Sequence, residues 1–459
     1  MNSNAGEIAA RLDRLPLTRG LWRLVILISL GGAFEFYDLF MTAYVAPGLV
    51  ASGLFTARPA GFFAIDGVGF FVFCTFAGMW LGAVGFGSIA DRLGRRSIFT
   101  VSLVWYSLAT AVMAFQHSAA AIDLWRFIAA IGVGLEQITI DTLLPELVPP
   151  PKRGRVFAIN QGIEFAVVPL VALLGWLLLP LHPLGLDGWR WVALIGASGA
   201  LLAWWFRLAV PESPRWLALH GQGREADAIL RKLEARAERD QGRPLPPAAP
   251  SKEAVEEKGR FRELFRPPYL KRTSVMSVFN AMQTIAFYGF GSWVPTLLIA
   301  KGIHVTTSLQ YAFIIALANP VGPFLGYFIA DRIERKWQIV AAGTITGIGI
   351  YLFARQDVAA LVILFGVLVT MANNWLSFTL HGYQAEQFPT RIRARAVGFV
   401  YSWSRVSAAL AGLMIGFFLR EGGTMAVALF IGAAMVVMVL VIALWGPTTL
   451  NRGLEDISH

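Results

Sequence analysis

The chain is written in long apolar stretches separated by short charged ones. About 20 apolar residues span the hydrocarbon core of a bilayer as one α-helix. Lipid tolerates only helices and closed barrels, because every backbone polar group must be satisfied internally. Twelve stretches of suitable length lie near 21–44, 67–90, 98–115, 122–145, 156–179, 190–209, 274–298, 310–330, 338–354, 359–382, 396–418 and 424–446. Only 15% of the 459 residues are charged, against roughly 25% in soluble domains. An all-α membrane protein with twelve transmembrane helices is predicted, not a string of soluble domains. Cys74 is the single cysteine and sits in an apolar run, so no disulfide and no Cys-based metal site is expected. No cofactor is expected either.

The basic residues orient the chain. They cluster before the first span (Arg11, Arg14, Arg19, Arg23), then in alternate connections: Arg92, Arg95 and Arg96; Lys152, Arg153 and Arg155; Arg332, Arg335 and Lys336; Arg391, Arg393 and Arg395. The opposite connections carry at most one cation each. By the positive-inside rule both termini are cytoplasmic. The formal net charge of +10 is therefore read as membrane orientation rather than nucleic-acid binding. No cleavable signal peptide is expected before the first span, and no Asn-x-Ser/Thr sequon occurs, which fits a bacterial inner membrane. Residues 210–272 break the pattern with a charged amphipathic stretch and a Pro-rich linker. The expected division is a six-helix bundle over 1–209, a cytoplasmic connection over 210–272 and a second bundle over 273–459. The expected partners are the lipid bilayer, a small-molecule substrate and protons; a monomer is expected.

A repeat relates the two halves. Asp91-Arg92-x-x-Arg95-Arg96 recurs 240 residues later as Asp331-Arg332-x-x-Arg335-Lys336. Glu146-x-x-Pro149-x-x-x-Arg153 recurs at the same offset as Glu386-x-x-Pro389-x-x-x-Arg393. Parallel repeats of this kind build transporters that bind substrate near the midplane and rock one half against the other. The repeated charges are expected to act as gates at the cytoplasmic helix ends.

Particular motifs carry a family resemblance. GSIADRLGRR (87–96) resembles the loop signature of the major facilitator superfamily. RFIAAIGVGLEQ (126–137), PELVPPPKRGR (145–155) and PESPRWL (211–217) are similar to the sugar-porter branch. FEFYDLF (34–40), GSWVPTLL (291–298) and ARLDRLPL (10–17) resemble metabolite:proton symporters of the nicotinate-permease-like and synaptic-vesicle-glycoprotein-like kinds. The resemblance implies two pseudo-symmetric six-helix bundles and proton-coupled transport. The chain departs from the sugar-porter pattern in three places. A single Gln283 stands in the seventh span. Gly446-Pro447-Thr448-Thr449 replaces Pro-Glu-Thr-Lys-Gly after the last. Glu334 stands where the loop signature has glycine.

Ionisable residues inside spans are costly and are functional candidates. Glu35 and Asp38 share a helix face. Asp38 and Arg126 lie about 9 and 7 Å from the outer ends of their spans at 1.5 Å per residue, so they can pair. The resemblance implies the same pair, a first-helix Asp with a fourth-helix Arg, as the proton-coupling element; a permanent structural ion pair is the alternative. Either Glu35 or Asp38 could carry the proton. Arg405 lies near the midplane with no acid within a turn, which suits a carboxylate substrate; pairing with Glu136 or Glu164 across the halves is the alternative. Glu136 and Glu164 are relay or gate candidates. Trp375, Asn373, Asn374, Gln283, Gln161, Tyr37 and Tyr288, with His381 and Asn280, are cavity candidates, helix packing being the competing reading. Asp91, Arg92, Arg95, Glu146, Arg153, Asp331, Arg335, Glu386 and Arg393 are the gating candidates. The leading expectation is proton-coupled symport of a small organic acid, with an aromatic monocarboxylate as one class. A sugar or sugar-acid symporter and a non-transporting membrane receptor are the alternatives. No nucleophile triad, phosphate loop or metal cluster argues for an enzyme.

Overall fold

Fifteen α-helices and no β-strand make up the described residues of the computed structural model, which are 2–56, 61–149, 152–199, 201, 205, 209–248, 260–323, 333–388 and 390–449. A short helix α1 (Asn2–Asp13) precedes α2 (Arg19–Ala51), α3 (Val68–Leu93), α4 (Arg95–Met113), α5 (Ala119–Leu147), α6 (Arg153–Leu178) and α7 (Gly188–Ala197). Two helices of the connecting region follow, α8 (Pro214–Leu219) and α9 (Gly223–Gln241). The second half holds α10 (Tyr269–Gly291), α11 (Val294–Ala300), α12 (Val305–Ala316), α13 (Arg335–Arg355), α14 (Ala359–Glu386) and α15 (Thr390–Trp445).

Eight helices among the described residues are long and apolar enough to cross a bilayer: α2 to α6 and α13 to α15. The 56-residue α15 holds the last two expected spans, separated where Gly423 takes φ 64°, a conformation that glycine alone adopts without penalty. The seventh span was expected to run unbroken over 274–298. It is instead α10 and α11, because Pro295 has no N–H to give to an ongoing helix and sits in the first turn of a new one. Of the expected sixth and eighth spans, 190–209 and 310–330, α7 and α12 are described, and part of each lies outside the described residues. Large apolar side chains such as Leu108, Leu124, Leu429 and Val436 are more than half exposed, the surface a lipid-facing bundle requires.

Helices α2 to α7 pack mainly with one another, and α10 to α15 do likewise. The first group is drawn tight at the α3–α5 seam. A Cβ on Gly82 would stand 2.1 Å from the Ile131 carbonyl oxygen, and one on Gly134 2.2 Å from that of Met79, so small residues let two backbones touch. The groups meet at the end away from α1. There Gly69 faces Gly412 and Gly416, and Trp176 stacks on Phe313 at 5.9 Å.

At the other end, α1 lies across the connecting helices. Ile8, Leu12 and Leu15 pack on Leu217, Ala226, Leu230 and Ala237. Arg11 donates to Asp227 (2.7 Å) and twice to Glu234 (2.6 and 3.0 Å), Arg14 also reaches Glu234 (2.6 Å), and Arg215 pairs with Asp13. Asp240 accepts the Gly20 N–H at 2.7 Å. The Arg11 hydrogen bond holds the Asp227 carboxyl below its usual range, and the Gly20 N–H does the same for Asp240.

The repeat is physical as well as written. Arg95 pairs with Glu146 (3.5 Å), and Arg335 with Glu386. Arg153 Nε donates to the Val148 carbonyl (3.2 Å), and Arg393 Nε to that of Phe388 (3.1 Å). Each contact recurs 240 residues on. These pairs join neighbouring helices inside one half and do not cross between halves. The side chains of Asp91 and Arg92, and Asp331 entirely, lie outside the described residues. Two of the departures from the sugar-porter pattern also compensate each other. Gly94 takes φ 93°, so it must be glycine, whereas Glu334 takes φ −51° and need not be. In the first half the carboxylate of Glu212, from PESPRWL, accepts the N–H groups of Arg95 and Arg96 at the start of α4. In the second half, where threonines follow the last helix, Glu334 itself supplies the acid and accepts the Thr449 N–H at 2.9 Å.

Candidate functional site

The first half holds a buried ion pair. Arg126 on α5 and Asp38 on α2 are 0% and 1% exposed, with Nη1 2.6 Å from Oδ2. Arg126 also donates to the Asp38 carbonyl through Nη2 (2.9 Å) and to Thr75 Oγ1 on α3 through Nε (2.9 Å). Thr110 on α4 donates to the other carboxylate oxygen of Asp38 at 2.7 Å. Four helices thus converge on one carboxylate–guanidinium pair, and each guanidinium nitrogen bonds Asp38 or Thr75. Such pairs are held by their mutual charge and by full hydrogen bonding, since desolvation alone opposes them.

Glu35, one turn before Asp38, is also buried. It lies within electrostatic reach of Tyr106 and of Arg405 across the halves. Glu136 is fully buried, with Ser102 Oγ 3.4 Å from one of its oxygens. Glu164 accepts from Asn160 Nδ2 (2.8 Å), Asn160 accepts from Ser29 (2.7 Å), and the Glu164 carboxylate rests against Gly32.

The sequence left Arg405 alone, and the structure corrects that. Its guanidinium donates to Tyr288 Oη on α10 (2.9 Å), to Gln137 Oε1 on α5, and to Tyr401 Oη one turn back (3.5 Å). It stands 5.6 and 5.3 Å from the Tyr288 and Tyr401 ring centres, within cation–π range. Phe76 packs on Tyr288 at 4.5 Å, and His381 faces Tyr401 at 5.8 Å. Arg405 therefore bridges the halves inside an aromatic enclosure.

The remaining cavity candidates divide. Asn373 Nδ2 donates to the Ala286 carbonyl (3.4 Å), Asn374 Nδ2 to Asn319 (3.0 and 3.1 Å), and Trp375 Nε1 to Gln338 (3.1 Å). All three tie α14 to neighbouring segments. Asn280 bonds Gln384. Tyr37 turns away from the centre to donate to the Val192 carbonyl on α7 at 2.8 Å. Gln283 is buried and accepts from Thr284 (3.2 Å), while Gln161 is part-exposed.

Sequence reasoning missed Thr75, Thr110, Gln137, Tyr401 and Asp123. Gln137 follows Glu136 in a quoted motif, and Tyr401 lies one turn before Arg405, so helical spacing could have found both. Thr75 and Thr110 carried no signal, because threonine is ordinary in membrane helices. Asp123 is 2% exposed, and neither of its carboxylate oxygens has a hydrogen-bond partner among the described residues.

Residues 24–459 match the family model for sugar (and other) transporters. YyaJ of Bacillus subtilis, whose name assigns it provisionally to metabolite transport, is 31% identical over 96% of this chain and 95% of its own. The niacin transporter NiaP of Acinetobacter baylyi is 26% identical over 98% and 99%. The fold is similar to that of the Escherichia coli xylose transporter XylE in its inward-open conformation, with a TM-score of 0.74 and 19% identity over 95% and 99% of the two chains. With two six-helix groups, repeat-related charge contacts and a buried centre between them, the chain belongs to the sugar (and other) transporter family of the major facilitator superfamily, and it is a secondary transporter, not an enzyme.

Proposed function

We propose that the chain is a proton-coupled symporter of a small organic acid, working by alternating access as a monomer in a bacterial inner membrane with both termini cytoplasmic. The carrying observation is the division of charge: a buried Asp38–Arg126 pair in one half, and Arg405 at the junction of the halves amid Tyr288, Tyr401 and Phe76. A carboxylate beside a guanidinium stays ionised, and it takes a proton when the pair loosens. Asp38 is the proton carrier in this reading, and Glu35 links it electrostatically to Arg405. Arg405 presents a fork that matches a carboxylate, displacing Gln137 or Tyr401 when substrate enters. Aromatic faces beside it suit a planar ring. The niacin for which NiaP is named is a ring carboxylate of this class. The pairs Arg95–Glu146 and Arg335–Glu386 hold each half rigid as it moves, and the boundaries at 209–210 and 272–273 divide the two bodies from their connection.

Uptake into proteoliposomes under an imposed proton gradient tests the reading, with nicotinate and benzoate set against nicotinamide and xylose. Acid uptake should follow the gradient and collapse in Arg405→Ala. Gradient-independent uptake would overturn coupling. Neutral xylose carried as well as the acids, in wild type and Arg405→Ala alike, would instead favour a sugar symporter, the class of the XylE structure.

A further inference from the structure

We propose that Asp123 is a second proton site, which takes up the proton at the end of the bundle away from α1 and passes it to Asp38; this rests on the proton-coupled reading above. Asp123 occupies the second turn of α5, three residues ahead of Arg126, so the two share a helix face. It is 2% exposed, with both carboxylate oxygens lacking a hydrogen-bond partner among the described residues. A buried ionised carboxylate without donor or cation is penalised by several kcal/mol. Among the described residues, the charged groups around it do not neutralise it. Asp66, ahead of α3, repels a second negative charge and accepts from Thr56. Cys74 on α3 feels both Asp123 and Arg126, which places all three along the α3–α5 seam. Asp38 on α2 already occupies Arg126. Beyond α4, Arg190 is taken by the carbonyls of Ala114 and Gln116 and by Asp187, and His117 stands in the connection between α4 and α5.

The transfer exchanges partners. The Asp123 O–H bond breaks, directly or through one water, and an O–H bond forms on Asp38. Arg126, one turn along the same helix, then turns from the neutral Asp38 to the new Asp123 carboxylate. Total charge in the seam is unchanged, so the step does not require a bare buried ion. Asp123 recovers its proton from water when the end by Asp66 opens.

Two measurements on the full-length protein test this. First, uptake in proteoliposomes is followed against external pH. Asp123→Asn should lower proton-driven uptake by about 100-fold or more, the scale of a lost proton-transfer group, with Asp123→Glu restoring most of it. Second, wild-type protein at pH 7 is treated with dicyclohexylcarbodiimide, which reacts with protonated carboxyls in apolar surroundings, and modified residues are mapped by mass spectrometry. Asp123 should be labelled, so the second measurement decides even where Asp123→Asn fails to fold. An unlabelled Asp123, or an Asp123→Asn profile matching a proton-coupled wild type, overturns this inference alone. A wild type indifferent to the proton gradient overturns the coupling reading itself.

Discussion

Asp38→Asn removes one charge from the buried pair while keeping its shape, and the contacts set the size of the effect. Arg126 is 0% exposed and has three acceptors: Asp38 Oδ2, the Asp38 carbonyl and Thr75 Oγ1. Breaking a buried pair by removing one partner costs about 3–5 kcal/mol, because the other charge stays buried. The carbonyl and Thr75 survive the substitution, and the asparagine oxygen still accepts. The cost therefore falls at the lower end, about 3 kcal/mol. Arg126→Gln leaves Asp38 with Thr110 still as donor. In Asp38→Asn/Arg126→Gln no ion remains, and the two amides can bond each other. The double variant should recover about 1–3 kcal/mol relative to the sum of the singles. Thermal unfolding of the three purified variants in one detergent measures the cycle. Additive losses, or an Asp38→Asn variant as stable as wild type, would refute a pair whose members depend on each other's charge.

Three further outcomes follow from other parts of the molecule. Gly134→Ala brings a Cβ to 2.2 Å from the Met79 carbonyl oxygen, where backbone cannot yield cheaply; a loss of about 1–3 kcal/mol should appear as a lower melting temperature, whereas Gly154→Ala, with open space around it, should melt like wild type. Docking of α1 should depend on acid. The Asp227 carboxyl is held below its usual range by Arg11, so its contribution is complete above about pH 4 and is lost as pH falls through the lowered value. Spin labels on Glu7→Cys and Arg231→Cys should report one distance at pH 7 and a broad distribution at pH 3; an unchanged distribution would refute the electrostatic latch. Glu212→Gln should weaken the start of α4, since a charged acceptor at a helix N-terminus is worth roughly 0.3–1 kcal/mol more than a neutral one, with amide exchange at Arg95 and Arg96 as the readout.

How far the site was legible varies with the residue. Asp38 and Arg126 could be matched across two helices because depth along a span follows from counting residues at fixed rise. The repeat-related contacts were legible because two motifs shared one offset, although which helices the charges join was not. Asn373, Asn374 and Trp375 read equally as cavity or packing residues, since a polar side chain at one depth can turn to either, and they turn to neighbouring segments. Asp123, near a helix start, was not singled out in the sequence. Only the tertiary packing makes it a buried group.

By itself the sequence determined the architecture. Apolar runs of bilayer length, charged ends and a 240-residue repeat admit few alternatives, because lipid removes every backbone arrangement that leaves polar groups unpaired. The tertiary structure alone decided which neighbour each buried polar group meets. It set Tyr288, Tyr401 and Gln137 around Arg405, joined the gate charges within halves, and left Asp123 without a donor among the described residues. Helical periodicity specifies depth and face along one element, but partners are chosen by how the elements lie against one another.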